Sequence, residues 1–169
     1  MRLFVAVRPP DRLMAALARL ARPERPGVRW TGRHEWHVTL RFLGEVDDPV
    51  PVAAALDAAP LAACQAVLGQ RVATLGRQVV CVPVAGLDRL AAAVEAATGA
   101  FGRPPGDRPF RGHLTLARVR RGSAARLAGE AFADRFPVTD VRLVRSRTFS
   151  DGPRYEDVHV RPLGPSSAL

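Results

Sequence analysis

Lysine is absent from this sequence: all 25 basic residues among its 169 are arginine. With only 16 acidic residues, the chain carries a formal net charge of +9. Arginine binds phosphate through planar, bidentate contacts, so this charge favours a phosphate-rich partner. A GC-rich coding bias, also indicated by the many Ala, Pro and Gly residues, is an alternative explanation of the arginine count. It leaves the positive charge unchanged.

Cysteines and long apolar runs are also scarce. Cys64 and Cys81 are the two cysteines, and they form no CxxC motif, so we expect buried free thiols and no cysteine metal site. The apolar start of the chain is too short for a signal peptide, and arginine interrupts every apolar segment. We therefore expect a cytoplasmic protein. Hydrophobic residues make up 47% of the chain, which is enough to form one core. We therefore predict a single domain over residues 1–169.

Apolar periodicity and turn residues predict an α+β chain with antiparallel sheets, because strands occur in hairpins as often as with helices between them. Asp48 is a candidate cap of the second helix. Helices are expected at 9–23, 47–63, 87–101 and 123–136. Strands are expected at 2–8, 28–30, 36–43, in pieces within 65–84, and at 113–119, 138–149 and 154–163.

One four-residue pattern, His-aliphatic-Thr-Leu, occurs twice although the chain has only four histidines. It begins at His37 in "WHVTLRF" and at His113 in "GHLTLAR". A loop rich in Arg, Pro and Gly precedes each copy, and a predicted helix follows. The repeat predicts two related lobes whose motif strands lie side by side about a pseudo-two-fold axis.

Strand geometry places the reactive groups of each copy on one face. Because side chains alternate along a strand, His37 and Thr39 point the same way, about 7 Å apart. His113 and Thr115 repeat this arrangement. Two imidazoles and two hydroxyls would then line one cleft between the paired strands.

These groups are suited to cleaving a phosphodiester without a metal. Imidazole has an ordinary pKa of about 6.5, so one ring can accept a proton while the other donates one. The threonine hydroxyls would donate to phosphate oxygens. A single H-x-T is usually an ordinary surface pair, but a matched second copy favours a site. Zinc binding is the weaker alternative, since two histidines without a carboxylate or cysteine at ligand spacing are too few ligands.

The pattern resembles the 2H phosphoesterase superfamily, named for its two H-x-[S/T]-x motifs, and in particular its RNA 2′,3′-cyclic phosphodiesterase branch, formerly called 2′-5′ RNA ligase. Four segments carry the resemblance in the family's order along nearly the whole chain. They are "RLFVAVRPP", "VRWTGRHEWHVTLRFLGEV", "FRGHLTLAR" and "SRTFSDGPRYEDV". The sequence departs from the family's pattern at Gly112 and in the segment "TGRHEW", and neither departure removes a reacting group.

The resemblance implies a bilobal α+β fold with two antiparallel sheet-bearing lobes, outer helices and a central cleft. It implies hydrolysis of a 2′,3′-cyclic phosphate to a 2′-phosphomonoester, without metal or cofactor. His37 would be the proton donor to the departing 3′ oxygen, and His113 the proton acceptor from water. Thr39 and Thr115 would hold the phosphate. The implied partners are RNA ends or small nucleotides with a 2′,3′-cyclic phosphate.

Three further residues are candidates for substrate binding. Arg118 matches the arginine after the family's second motif, but strict alternation would turn it away from His113, so its role requires a β-bulge or a strand end nearby. Arg41 shares the face of His37 by alternation. Phe4 would either stack on a base or belong to the core. Arg33 and Arg111 are further candidates for the cleft mouth, whereas His34 and His159 are expected to be surface or packing residues.

Two other functions are consistent with the same sequence. Joining RNA ends through a 2′-5′ linkage would reverse the hydrolysis, with a 5′-hydroxyl in place of water. A non-catalytic RNA-binding module would need only the positive charge, and two paired imidazoles argue against it. A monomer without an obligatory protein partner is the default expectation.

Overall fold

The computed structural model describes residues 1–120, 122 and 124–165. Within them the chain forms three α-helices: α1 (Asp11–Leu17), α2 (Val50–Ala58) and α3 (Asp88–Thr98). Two 3-10 helices cover Arg33–Glu35 and Ala124–Leu127. The strands are β1 (Arg2–Val7), β2 (Val28–Trp30), β3 (Val38–Glu45), β4 (Cys64–Arg71), β5 (Ala73–Leu75), β6 (Val79–Ala85), β7 (His113–Val119), β8 (Ala131–Val138), β9 (Asp140–Phe149) and β10 (Gly152–Pro162).

The strands form one antiparallel sheet in the order β10-β9-β1-β3-β7-β6-β4-β8, with β2 beside β7 and β5 beside β6. The order has two matched halves of four strands. They meet at the two motif strands, where Val38 of β3 pairs with Leu114 of β7. The predicted α+β class, the antiparallel pairing and the side-by-side motif strands are confirmed.

The helices cover the apolar side of the sheet. Leu13 and Leu17 of α1 and Val94 of α3 are fully buried in the main core, where they pack with inward side chains of β1, β3, β6 and β7. α2 begins at Val50 with Pro49 as its N-cap, so the prediction of Asp48 as the cap is wrong by one residue. Asp48 precedes the cap, and its carboxylate accepts a hydrogen bond from the Val50 N–H (2.9 Å). No helix of the described residues has the length and apolar character needed to cross a membrane.

The helix predicted over 123–136 is wrong. Ser123 lies outside the described residues; a 3-10 helix follows it, and the remainder enters β8. β8 pairs with β4 along its whole length, from Ala131 opposite Arg71 to Val138 opposite Cys64. Gly129, with φ of +107°, separates the two pieces. The backbone hydrogen bonds and cross-strand contacts of this pairing override the helical preference of the Ala-rich composition. Among the residues that the structure describes, no α-helix follows the second motif strand.

Candidate active site

The two motif strands share one burial pattern. From His37 to Leu43, and again from His113 to Val119, the side chains are partly buried, buried, partly buried, buried, buried, exposed and buried. The alternation breaks after each motif threonine, where two buried positions follow one another. The repeat in the sequence is therefore a repeat in three dimensions.

A β-bulge at the motif leucine causes the break in each strand. Against β1, Thr39 pairs with Ala6 and Arg41 with Val5, so Leu40 is the extra residue. Against β6, Thr115 pairs with Cys81 and Ala117 with Val80, so Leu116 is the extra residue. A bulge shifts the following side chains to the opposite face. Phe42 and Arg118 therefore return to the face of the motif histidines.

This face contains a cleft of about 160 Å³. It brings together six of the seven predicted site residues: Phe4, His37, Thr39, His113, Thr115 and Arg118. Seven further residues, which were not predicted from the sequence, also line it: Arg2, Arg29, Thr31, Glu35, Phe42, Ser146 and Tyr155. The bulge that the role of Arg118 required is present.

The two histidines are held in the same way. Nδ1 of His37 lies 2.6 Å from the carbonyl oxygen of Glu35, and Nδ1 of His113 lies 2.8 Å from that of Arg111. Each carbonyl belongs to the residue two positions before its histidine. Since a carbonyl oxygen only accepts hydrogen bonds, Nδ1 carries a proton in both rings. In the neutral state Nε2 is therefore the free basic nitrogen of each ring.

The two rings have different surroundings. The ring of His37 packs on Phe4, with ring centres 4.8 Å apart, and the edge-on ring of Tyr155 lies 5.1 Å away. The pKa of His37 is lowered from 6.5 to about 4, mainly by burial, against the opposing effect of the hydrogen bond to Glu35. The nearby charges of Arg8 and Arg118 contribute to the same lowering. His37 is therefore neutral at pH 7 in the free protein.

Arg118 is one of three arginines that line the cleft, together with Arg2 and Arg29. Within the part of the chain that the structure describes, its guanidinium forms no hydrogen bond or ion pair. Arg29, which lies opposite Arg118 on β2, is instead bound by the buried carboxylate of Glu35 at 2.9 and 3.0 Å. Burial raises the pKa of Glu35, but the hydrogen bonds from Arg29 and from the Gly32 N–H outweigh it, and the net pKa is lowered. Arg29 is thus neutralised, and Arg118 can receive an anion.

The prediction for Arg41 is wrong. The bulge at Leu40 turns its side chain away from His37, and only 6% of it is exposed. Its guanidinium donates to the hydroxyl of Thr98 (2.9 Å) and to the carbonyl oxygens of Glu95 (3.1 Å) and Arg103 (2.8 Å). These acceptors lie in the last turn of α3 and just beyond it, where a cation satisfies free carbonyl groups. Arg41 therefore caps a helix.

Phe4 belongs to the core and to the site. Its side chain is 5% exposed and packs in a small cluster with Ala6 and Val144. Its ring supports His37 and meets the ring of Tyr155 edge-on, with ring centres 5.2 Å apart. Little of it is open to stacking on a base. Of the two interpretations of Phe4, its burial favours the core.

A buried hydrogen-bond chain fixes the second bulge. The hydroxyl of Thr31 donates to the carbonyl oxygens of Thr115 (2.8 Å) and Leu116 (2.9 Å), and it accepts from the indole N–H of Trp36 (3.0 Å). Trp36 is fully buried. The segment before the first motif therefore holds the backbone of the second motif. This contact between distant parts of the chain leaves no periodic signal in the sequence.

None of the four other residues considered in the sequence lines the cleft itself. Arg33 is exposed, and Arg111 lines a separate cavity that also borders His113. His159 binds Asp57 (2.8 Å) away from the site. His34 lines a larger cavity next to the cleft. Within the described residues, no three His, Cys, Asp or Glu side chains come together as metal ligands.

Comparison with known proteins agrees with this arrangement. The model of the 2′-5′ RNA ligase superfamily matches residues 9–151. An RNA 2′,3′-cyclic phosphodiesterase of Thermus thermophilus is 35% identical over an alignment of 177 residues, which covers 92% of this chain and 86% of that protein.

Solved structures show the same fold. The crystal structure of TT0787 of Thermus thermophilus superposes with a TM-score of 0.82 at 31% identity, covering 96% of this chain and 98% of that one. E. coli LigT, complexed with 3′-AMP, has a TM-score of 0.77 at 24% identity, with 96% and 97% covered. The resemblance drawn from the two motifs is confirmed, and the chain belongs to the 2′-5′ RNA ligase superfamily, the 2H phosphoesterases.

Proposed function

We propose that this protein hydrolyses the 2′,3′-cyclic phosphate at RNA ends to a 2′-phosphomonoester, using its two histidines as acid and base and no metal ion. The observation that carries the proposal is the matched pair of imidazoles. Each has Nδ1–H held by a carbonyl, and both line one cleft with two threonines and with Arg118, which has no ion-pair partner among the described residues. The identity with a relative named RNA 2′,3′-cyclic phosphodiesterase supports the substrate class.

The reaction needs one proton acceptor and one proton donor. His113 Nε2 takes a proton from the attacking water, whose oxygen forms a bond to phosphorus. As the bond from phosphorus to O3′ breaks, His37 Nε2–H donates its proton to that oxygen. The product is a 2′-phosphomonoester with a 3′-hydroxyl. Proton exchange with solvent then restores both rings.

Thr39, Thr115 and Arg118 stabilise the phosphate. Their donors reach non-bridging oxygens, where negative charge is concentrated in the transition state. The anion also favours protonation of His37, which burial keeps neutral in the free protein. Substrate binding therefore prepares the proton donor.

The test is to incubate an oligoribonucleotide ending in a 2′,3′-cyclic phosphate with the protein in EDTA and to identify the product. The product is expected to have the mass of the substrate plus one water, with its phosphate on the 2′ oxygen. No conversion between pH 5 and 9 would reject hydrolysis. A 2′-5′ joined product with a 5′-hydroxyl RNA would indicate ligation, which must compete with water at about 55 M. Salt-sensitive RNA binding without any conversion would indicate a binding module.

A further inference from the structure

The catalytic cleft is too small to enclose a whole nucleotide. Cavities that enclose a small organic ligand have volumes of about 300–1,000 Å³, whereas this cleft has about 160 Å³. It accommodates the cyclic phosphate and the adjoining edge of the ribose. The base must extend into a neighbouring cavity or into solvent.

Three larger cavities share lining residues with the cleft. One, of about 620 Å³, shares Arg29, Glu35 and Tyr155 with it and lies between the segment 29–35 and the β9–β10 hairpin. We name it the hairpin cavity. Of the other two, one of about 440 Å³ shares only His113 with the cleft, and one of about 380 Å³ shares only Phe42.

The chemistry of the two histidines distinguishes the hairpin cavity from the cavity beside His113. In the proposed reaction His37 protonates the departing 3′ oxygen, so it faces the ribose, and His113 faces the water on the opposite side of the phosphorus. Tyr155, which packs edge-on against His37, forms a wall of the hairpin cavity. The nucleoside therefore extends toward the hairpin cavity. The cavity beside His113 lies on the side of the water.

The charges in the hairpin cavity suit an uncharged group. Its Arg and acidic side chains form two ion pairs, Arg29 with Glu35 (2.9 Å) and Arg154 with Asp151 (2.9 Å). A second phosphate would find no unpaired arginine among the described residues that line it. A base is uncharged and stacks on aromatic rings and on guanidinium planes.

Residues able to stack on a base line this cavity. Trp30, His34 and Tyr155 contribute aromatic side chains, and Arg154 contributes a guanidinium. The indole N–H of Trp30 donates to the carbonyl oxygen of Pro23 (3.1 Å), which fixes the orientation of the ring. We propose that the hairpin cavity binds the base of the nucleoside that carries the 2′,3′-cyclic phosphate. This inference rests on the proposed function.

The test compares two substrates, adenosine 2′,3′-cyclic phosphate and the 2′,3′-cyclic phosphate of 1-O-methylribose, which lacks a base. The measured quantity is the ratio of their kcat/KM values. For the unmodified protein we expect the base to raise kcat/KM roughly tenfold or more, the size of a single stacking contact. If neither substrate reacts, the proposed function itself fails. If both react equally, only the base site fails.

Trp30→Ala should lower the ratio roughly tenfold and leave kcat/KM for the baseless substrate unchanged. Arg154→Ala, at a side chain that is 66% exposed, should lower the ratio about threefold and tests the same cavity if Trp30→Ala does not fold. Arg111→Ala is the matched control, because it removes the same charge from the cavity beside His113. A lower ratio in Arg111→Ala, with no change in the other two variants, would place the base on the His113 side and overturn the inference.

Discussion

Phe42 and Arg118 occupy equivalent positions in the two motif strands, five residues after His37 and His113, and both side chains line the cleft. The bulge at the motif leucine brings each of them to this face. The two halves of the site therefore share a backbone but differ in chemistry. Phe42 supports the guanidinium of Arg2, whose Cζ lies 4.9 Å from the ring centre, whereas Arg118 is unpaired among the described residues.

Arg118→Ala should lower kcat/KM for a cyclic phosphate substrate roughly a hundredfold, because it removes a preformed donor to the developing charge. The melting temperature should change little, since Arg118 makes no ion pair in the described part of the chain. Steady-state kinetics and thermal melting measure the two effects. A loss of stability that matches the loss of activity would show that Arg118 is structural.

Arg41→Ala is the matched arginine variant, and we expect it to lose stability but keep activity. It leaves the acceptors at the end of α3 without their donor, so the free energy of unfolding should fall by roughly 2 to 4 kcal/mol. Urea unfolding measures this change. The folded variant should keep kcat close to that of the unmodified protein, and a large loss of kcat without loss of stability would contradict its assignment as a helix cap.

The difference between these arginines shows where sequence reasoning succeeded and where it failed. Alternation and the repeated motif predicted His37, Thr39, His113 and Thr115 on one face, because these positions precede the bulges. Arg41 follows a bulge, so strict alternation placed it wrongly. The bulges depend on pairing with β1 and β6, which are distant in the chain.

The other errors and omissions have the same origin. β8 is a strand because it pairs with β4, although its Ala-rich approach favours a helix. Tyr155 lies more than 70 residues after the first motif, and Arg29 lies more than 70 residues before the second. Both reach the cleft only because the strands pair. Among the cleft residues that were missed, only Phe42 could have been predicted from the sequence, because it follows His37 at the same spacing as Arg118 follows His113.

Thr31→Val should weaken the second motif without removing a reacting group. Its hydroxyl holds the carbonyl oxygens of Thr115 and Leu116, so the valine variant leaves both without this donor. We expect a loss of about 1–2 kcal/mol in unfolding free energy and a roughly tenfold lower kcat. Thr31→Ser keeps the hydroxyl and should restore most of the activity. Equal activity of the Val and Ser variants would contradict the positioning role.

The pH dependence of kcat/KM should reflect the buried state of His37. Because its pKa in the free protein is about 4, the acid limb should lie near pH 4 and not near 6.5. The reaction needs one Nε2 proton on the pair of rings, and a second one, gained on His37 near pH 4, leaves the pair without an acceptor for the proton of water. Tyr155→Ala admits water to the His37 ring and should move the limb upward. Tyr155→Phe keeps the ring and should leave the limb in place; identical shifts in both variants would refute this explanation.

Stability should depend on pH through the same residue. In the unfolded chain His37 has its ordinary pKa of 6.5, and in the folded protein about 4, so the unfolded state binds more protons between these values. The contribution of His37 to the free energy of unfolding is therefore complete above pH 6.5. It falls by about 3 kcal/mol as the pH is lowered to 4. Urea unfolding of His37→Gln should lack this part of the pH dependence. An unchanged pH dependence would show that His37 is not buried as described.

The central claim is that His37 and His113 act as one acid–base pair. The most direct measurement is hydrolysis of a 2′,3′-cyclic phosphate oligoribonucleotide in EDTA by His37→Asn, His113→Asn and the double variant. If the pair acts as a unit, each single variant loses roughly a thousandfold in kcat, and the double variant is hardly worse. Full activity in either single variant, or losses that multiply in the double variant, would contradict the account.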